Sequence, residues 1–155
     1  MPQSRTELLT LLFAAALLAG CGSVPLGDPA RSAELKKFQA QSDVGQIYVC
    51  RSSSGLGLAI KPAIEVDGKV VAYIARSTYI YVEVAPGDHS LVAKTMEHDS
   101  KMPFAIAAGE QKFFQTWISP GFLSGWGIVD SMTSAEGKKC VSDGELVATE
   151  ATTKP

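Results

Sequence analysis

The sequence predicts a mainly β protein, a small antiparallel β-sandwich of about seven or eight strands with one N-terminal helix and room for a short C-terminal helix. Three observations support this fold class. From Gly45 onward, short runs rich in Val, Ile, Tyr and Phe alternate with clusters of Gly, Pro, Asp and Ser, which is typical of strands and turns. The dipeptide Asp67-Gly68 stands between two such runs, as in a two-residue hairpin turn. The chain has 155 residues, enough for one domain with one core.

Eight segments fit the strand pattern, namely residues 46–51, 58–66, 69–74, 78–84, 90–97, 102–106, 111–118 and 127–132. The hairpin turn predicts a register that pairs Val66 with Lys69, Glu65 with Val70 and Ile64 with Val71. In the segment 78–84, side chains alternate between two faces. The face predicted to be core consists of Ile80, Val82 and Val84, and the tyrosines lie on the other.

Two helices are expected at the edges of the domain. Asp28 and Pro29 supply an N-cap and a first-turn proline, which predicts a helix over residues 29–41 that docks through Leu35 and Phe38. A second, short helix could form over residues 134–142. The predicted domain organisation is a signal peptide over residues 1–20, a flexible lipidated tether over 21–28, the β-sandwich over 29–148 and a flexible tail over 149–155.

The N-terminus has the composition of a secretory signal peptide. Residues 8–19 are apolar except for Thr10, and Arg5 precedes them. A run of this length is shorter than the roughly 20 residues that span a bilayer. The tetrapeptide Leu18-Ala19-Gly20-Cys21 then resembles the lipobox of bacterial lipoproteins at all four positions.

This resemblance implies that signal peptidase cleaves between Gly20 and Cys21 and that the Cys21 thiol carries diacylglycerol. The acyl chains would attach the protein to the membrane without spanning it. Gly22 follows the cysteine, where an Asp would favour the inner membrane, so we expect the periplasmic face of the outer membrane. The alternatives are an ordinary cleaved signal with a coincidental cysteine, or a cytoplasmic protein with an apolar first helix.

The remaining chain resembles a family of small bacterial lipoproteins with domain of unknown function 2846. The residues that carry the resemblance are Ile47-Tyr48-Val49 with Arg51, Val66-Asp67-Gly68, Tyr79 before Pro86-Gly87-Asp88-His89, and Ala108-Gly109-Glu110 before Phe113-Phe114. The Asp-Gly and Pro-Gly turns are also similar to those of PEGA modules, whose fold is a prealbumin-like β-sandwich. The resemblance thus implies an architecture but no reaction, because the family has no established activity.

Three cysteines are present, and lipidation of Cys21 would leave Cys50 and Cys140. An even number of thiols in an oxidising compartment favours a disulfide between these two. The alternative is two separate thiols, with Cys50 buried in a strand.

The sequence offers little chemistry for catalysis. His89 and His98 are the only imidazoles, and no Gly-x-Ser-x-Gly motif accompanies them. His89 follows a Pro-Gly turn, where we expect a ring nitrogen to bond to turn backbone. The run Met96-Glu97-His98-Asp99 holds three potential metal ligands, but alternation in a strand would separate them. We expect no enzymatic activity, no cofactor and no metal. The net charge of −2 also argues against a nucleic-acid partner.

The segment 117–128 mixes large apolar residues with Gly, Ser and Pro. Its large side chains, Trp117, Phe122, Leu123 and Trp126, form a candidate contact surface if they are exposed. The alternative is that Trp117 and Phe122 fold back to close one end of the sandwich. The sequence therefore favours a lipid-anchored periplasmic module with a structural or protein-interaction role. The other hypotheses are a small-ligand or lipid-binding lipoprotein with a cavity between the sheets, and an envelope hydrolase that uses His89.

Overall fold

The computed structural model describes residues 24–53, 55–123 and 125–149, and the strands in these ranges form two sheets. The fold is the predicted β-sandwich. The predicted signal peptide, Cys21 and residues 150–155 of the predicted tail lie outside the described residues.

The strands are β1 (Gly45–Arg51), β2 (Ala63–Val66), β3 (Lys69–Tyr73), β4 (Thr78–Val84), β5 (Gly87–Lys94), β6 (Asp99–Ile106), β7 (Gln111–Ser119), β8 (Trp126–Met132) and β9 (Glu145–Leu146). The helices are α1 (Pro29–Leu35) and α2 (Ser134–Ser142). One sheet has the strand order β8-β7-β1-β4-β9, and the other has the order β3-β2-β5-β6. Each of the eight predicted strands is present, and β9 is an additional one.

The five-stranded sheet is mixed, whereas we expected an antiparallel sandwich. β1 runs antiparallel to β4 but parallel to β7, with Tyr48 opposite Phe113. β9 is parallel to β4. The parallel pairs arise because β7 enters this sheet from β6 of the other sheet, and β9 enters it after α2. A strand that arrives by a crossover is not forced to reverse direction as in a hairpin.

The five-stranded sheet is buried on both faces at its centre, along β1 and most of β4. Its inner face packs against the other sheet, and Ile80 and Val82 belong to that core as predicted. Its outer face forms a second cluster under the helices, made by Leu35, Tyr48, Cys50, Tyr79, Tyr81, Phe113, Val141 and Leu146. The tyrosines of β4 are therefore buried as well. Burial raises the pKa of Tyr48 to about 12.

Both predicted helices are present, but α1 is shorter than predicted. α1 ends at Leu35 instead of residue 41, because Phe38 adopts a left-handed φ of 51° that turns the chain. Its ring then packs 5.6 Å from that of Tyr48 and 6.0 Å from that of Phe113. α2 has the predicted bounds, and Thr133 and Glu136 form a capping box at its start.

The hairpin of β2 and β3 contains a bulge that the predicted register lacks. Glu65 pairs with Val70 as expected, but Ile64 pairs with Ala72 and not with Val71. The bulge leaves the consecutive residues Val71 and Ala72 both inside the core, which strict alternation would not allow. The predicted pairing of Ile64 with Val71 is therefore wrong.

Residues 24–28 are packed against the sandwich, although we expected a flexible tether there. Leu26 forms a bridge with Val147, and the adjacent amides of Gly27 and Ala148 each donate a 2.9 Å backbone hydrogen bond across the pair. Val24 is buried in the core between the sheets. These backbone bonds and this burial place the start of the folded unit at Val24 or before it.

The two ends of the sandwich carry different connections. The loops that follow β1, β5 and β7 lie at one end, since β1 and β7 are parallel. The turn between β4 and β5 and the connection between β6 and β7 lie at the opposite end. No helix in the described ranges is long and apolar enough to cross a membrane.

Candidate contact surface at one end of the sandwich

Three loops meet at the end of the sandwich where β1, β5 and β7 finish. They are the β1–β2 loop, the β5–β6 turn and the β7–β8 loop. Thr95 of the turn lies beside β8, where its hydroxyl accepts a 3.5 Å hydrogen bond from the amide of Gly127. The rings of His98 and Trp126 lie 5.2 Å apart. The parallel pairing of β1 and β7 thus gathers residues that are distant in sequence.

Glu97 fixes the β7–β8 loop to the β5–β6 turn. Its carboxylate accepts a 2.9 Å hydrogen bond from the amide of Phe122 and a second from the amide of Leu123. Hydrogen bonds from backbone amides to a carboxylate are stronger than those between neutral groups. Glu97 therefore holds the loop in one position beside its neighbour Met96.

Arg51 organises the β1–β2 loop from inside the protein. The residue is 3% exposed, and its guanidinium donates to the carbonyl oxygens of Ile60 and Gly57 at 2.5 and 2.8 Å. Burial lowers the pKa of Arg51, so these acceptors offset a part of the cost of desolvating the charge. The predicted strand 58–66 begins only at Ala63, because residues 57–60 form a turn in which the amide of Ile60 donates to the carbonyl of Gly57.

Two glycines let the β1–β2 and β7–β8 loops approach the sheet. Gly57 and Gly125 both have a φ of +75°, which favours glycine. A Cβ atom on either would lie within 2.8 Å of the Ile118 side chain. The two loops therefore pack closely around Ile118.

The large apolar side chains on these loops are exposed, and we call the surface they form the apolar end. Their exposed fractions are Met96 95%, Phe122 95%, Leu123 86%, Leu58 73%, Leu56 62% and Trp126 45%. The apolar end thus contains three of the four predicted contact residues. Leu56, Leu58 and Met96 were missed, since each is a single apolar residue in its own loop.

Trp117 is 43% exposed, but it lies on a strand and not on the loops that form the apolar end. It is on β7, and its indole nitrogen donates a 2.7 Å hydrogen bond to Asp130 on β8. The alternative in which Trp117 and Phe122 close the sandwich is not observed. The buried residues Ile118 and Pro62 lie at this end instead.

His89 lies near the start of β5 at the other end, and one of its ring nitrogens bonds to the backbone of the β4–β5 turn, as expected. Its Nδ1 lies 2.7 Å from the Asp67 carboxylate, and its Nε2 lies 2.7 Å from the carbonyl oxygen of Ala85. The hydrogen bond to Asp67 and the one to Ala85 raise the pKa of His89. Two acceptors call for two N–H donors, which favours the imidazolium form.

The possible ligands in Met96-Glu97-His98-Asp99 do not converge. Glu97 serves two backbone amides and His98 packs on Trp126, while Asp99 begins β6. Among the described residues, no group of three His, Cys, Asp or Glu side chains could hold a metal ion.

Two surface grooves among the described residues include none of the apolar-end side chains. The larger has a volume of about 680 Å³ and runs beside α1 along the edge of β4, between Leu26 and Tyr81. The smaller has a volume of about 260 Å³ and lies beside Cys140 and Met132. The ligand-binding hypothesis called for a cavity between the sheets, and neither groove is in that position.

Cys50 and Cys140 form a disulfide. Their Cα atoms are 6.2 Å apart, and the bond joins the middle of the five-stranded sheet to α2. The alternative of two separate thiols is therefore wrong.

Comparison with known proteins gives a family. A protein of Haemophilus influenzae (strain ATCC 51907 / DSM 11121 / KW20 / Rd), described as uncharacterized, is 23% identical over 134 residues, which cover 86% of this chain and 79% of the relative. No solved structure matches the chain significantly. The family model for protein of unknown function DUF2846 matches residues 41–126, which is more than half of the chain. The expected resemblance is confirmed, and the chain belongs to the DUF2846 family.

Proposed function

We propose that this protein is a lipid-anchored interaction module of the bacterial cell envelope, which contacts a protein partner through the apolar end. The observation that supports the proposal is the exposure of Leu58, Met96 and Phe122, which lie in three sequence-distant loops at one end of the sandwich. Single exposed apolar residues are common, whereas a group of them on one surface is typical of binding sites.

The apolar end is also preorganised. Glu97 fixes the loop that bears Phe122, and Arg51 fixes the loop that bears Leu58. A surface whose loops are already ordered loses less conformational entropy when it binds a partner. Exposed aromatic and methionine side chains are the residue types enriched at the centres of protein interfaces.

The anchor is the second part of the proposal, and it is supported by Leu18-Ala19-Gly20-Cys21. We expect Cys21 to be lipidated and the protein to lie on the periplasmic face of the outer membrane. Cells fed with labelled palmitate should incorporate the label into the parent chain, while Cys21→Ser should abolish labelling and leave an uncleaved precursor. Ser53→Ala is the control, because it changes one exposed residue and leaves both the lipobox and the Cys50–Cys140 disulfide intact. Equal labelling of Cys21→Ser and the parent would contradict the anchor.

The contact surface is tested by photo-cross-linking in living cells. A photoreactive phenylalanine analogue replaces Phe122, and the control carries the same analogue at Tyr73. Tyr73 is a 56% exposed aromatic residue on β3, at the far edge of the other sheet. We expect a discrete adduct with one envelope protein, identifiable by mass spectrometry, from position 122 and none from position 73.

A second variant separates binding from folding. Leu123→Ser should reduce the adduct from position 122 several-fold and leave the melting temperature unchanged, because the side chain is 86% exposed. Identical adducts from positions 122 and 73, or no adduct from either, would contradict the contact surface.

A further inference from the structure

The Asp-Gly turn and the Pro-Gly-x-His segment meet at the end of the sandwich opposite the apolar end. Asp67 begins the turn between β2 and β3, and His89 lies near the start of β5. The Nδ1 atom of His89 is 2.7 Å from a carboxylate oxygen of Asp67, although 22 positions separate the two residues in sequence. The side chain of His89 is 13% exposed. One histidine thus connects two turns that are distant along the chain.

The second ring nitrogen of His89 binds the connection between the two sheets. Its Nε2 atom lies 2.7 Å from the carbonyl oxygen of Ala85. Ala85 follows β4 of the five-stranded sheet, whereas His89 belongs to β5 of the four-stranded sheet. Only residues 85 and 86 connect the two strands. His89 therefore fixes the β4–β5 turn at the position where the chain passes from one sheet to the other.

The two turns differ in how much they depend on the ring. The other carboxylate oxygen of Asp67 accepts a 2.8 Å hydrogen bond from the amide of Ser90, and the amide of Asp67 donates a 3.0 Å bond to the carbonyl oxygen of Ser90. Within the part of the chain that the structure describes, the carbonyl oxygen of Ala85 has no donor besides the ring of His89. The β2–β3 hairpin is thus attached to β5 independently, and the β4–β5 turn is not.

Both contacts of the ring can be hydrogen bonds only while both of its nitrogen atoms are protonated. A neutral imidazole has one N–H group and one nitrogen lone pair. The N–H group is retained at Nδ1, because a hydrogen bond to the carboxylate of Asp67 is stronger than one to a neutral carbonyl oxygen. The lone pair of Nε2 then faces the carbonyl oxygen of Ala85, which is itself an acceptor. Loss of one proton therefore removes the bond to the turn and leaves the bond to the hairpin.

The surroundings of the ring favour its protonated form. The hydrogen bond to Asp67 and the one to Ala85 raise the pKa of His89, and the negative charges of Asp67 and Asp88 act in the same direction. On β6, the residue that packs against the ring is Phe104, whose uncharged side chain lies 5.7 Å away between ring centroids. The groups that face His89 from β5 and from the hairpin are thus acidic, and the one from β6 is neutral.

The pKa changes define the pH range in which the contacts are intact. Since the pKa of His89 is raised above its ordinary value of 6.5, His89 stabilises the fold below that pH and loses this contribution as the pH rises through the raised pKa. Partial burial acts to raise the pKa of Asp67, but the hydrogen bonds from His89 and Ser90 lower it. Both contacts are therefore present between the lowered pKa of Asp67 and the raised pKa of His89.

We propose that His89 is a pH-dependent switch, which holds the β4–β5 turn in place while both ring nitrogen atoms are protonated and releases the turn when the proton on Nε2 passes to solvent. The β2–β3 hairpin stays attached to β5 in both states. None of these residues belongs to the apolar end, so the switch is independent of the proposed function. It gives the opposite end of the sandwich a conformational change that responds to the surrounding pH.

An NMR titration of the isotope-labelled full chain tests the switch. The ¹⁵N shifts of the ring identify which nitrogen loses its proton, and the ¹³C shift of the Ala85 carbonyl reports its hydrogen bond. We expect the ring of His89 to titrate with a midpoint above 6.5, to lose the proton from Nε2, and to be followed by the Ala85 carbonyl at the same midpoint. Loss of the proton from Nδ1, or a carbonyl shift that does not follow the ring, would overturn the proposal.

Variants distinguish a switch from a purely structural histidine. Asp67→Asn keeps the shape of the side chain but removes its charge, so the midpoint of the His89 titration should fall. Asp99→Asn is the control, because Asp99 is a partly exposed carboxylate at the other end of β6, and it should leave the midpoint unchanged. An equal midpoint in Asp67→Asn and the parent would contradict the role of Asp67 and with it the switch.

The release of the turn is measured by backbone mobility. The heteronuclear ¹H–¹⁵N NOE of Gly87 reports motion on the picosecond to nanosecond timescale. We expect this NOE to fall above the midpoint in the parent chain and to be low at every pH in His89→Ala, while the NOE of Gly68 in the hairpin turn stays constant. If His89→Ala does not fold, the parent titration still decides, since a Gly87 NOE that is the same on both sides of the midpoint would overturn the release.

Discussion

Reduction of the Cys50–Cys140 disulfide is expected to lower the free energy of unfolding by about 3 to 5 kcal/mol, because the bond closes a long loop in the unfolded chain. The two cysteines are 90 residues apart in sequence. Urea unfolding with and without reductant measures the difference. The chain from residue 22 onward is suited to this comparison, since Cys50 and Cys140 are its only cysteines.

The bond also has a local effect that hydrogen exchange can detect. Cys50 is buried in β1, while Cys140 lies on α2 beside the fully buried Val141. We expect the amides of α2 to lose protection before those of β1 when the bond is reduced. An unchanged urea midpoint after reduction would show that the disulfide contributes nothing to stability.

Gly137→Ala is expected to destabilise the protein by about 2 to 3 kcal/mol, which is the overpacking cost of a methyl group in a tight core. Helix propensity alone predicts the opposite sign, a gain of about 1 kcal/mol for Ala over Gly. Gly137 is buried on α2, and a Cβ atom there would overlap the Cβ and ring atoms of Phe113 on β7. The helix would have to move away from the sheet, so the packing cost decides the sign.

Thermal unfolding of Gly137→Ala and of Ser142→Ala provides the comparison. Ser142 is an exposed residue in the same helix, so its replacement should leave the melting temperature within about a degree or two of the parent. A Gly137→Ala chain that melts at or above the parent temperature would contradict this account of α2 packing.

The elements with strong local patterns could be predicted from the sequence. β4 and α2 have the predicted bounds, because alternation in the first and a capping box in the second act within a few residues. α1 is shorter than predicted, since the aromatic cluster that receives Phe38 is assembled from strands far along the chain. β9 has two residues and no pattern of its own, and it exists through its pairing with β4.

The candidate site was predictable only in part, because a part of it is assembled from residues that are distant in sequence. Phe122, Leu123 and Trp126 stand together in one Gly- and Ser-rich segment, so composition alone singles them out. Leu58 joins them because β1 and β7 are parallel, and Met96 joins them because the β5–β6 turn of the other sheet bonds to β8 and to the β7–β8 loop. A parallel pair between strands more than 60 positions apart leaves no local pattern in the sequence.

The complete burial of β1 changes what determines its register. In a strand with one solvent-exposed face, a slip of one residue exposes apolar side chains to water. All seven residues of β1 are buried. A slip of one residue would therefore move each side chain from the cluster on one side of the sheet to the cluster on the other side. Tyr48 would enter the aliphatic space between the sheets, and Cys50 would point away from Cys140. The register of β1 is therefore encoded by which of two differently shaped interiors accepts each side chain, and avoidance of water contributes little to the choice.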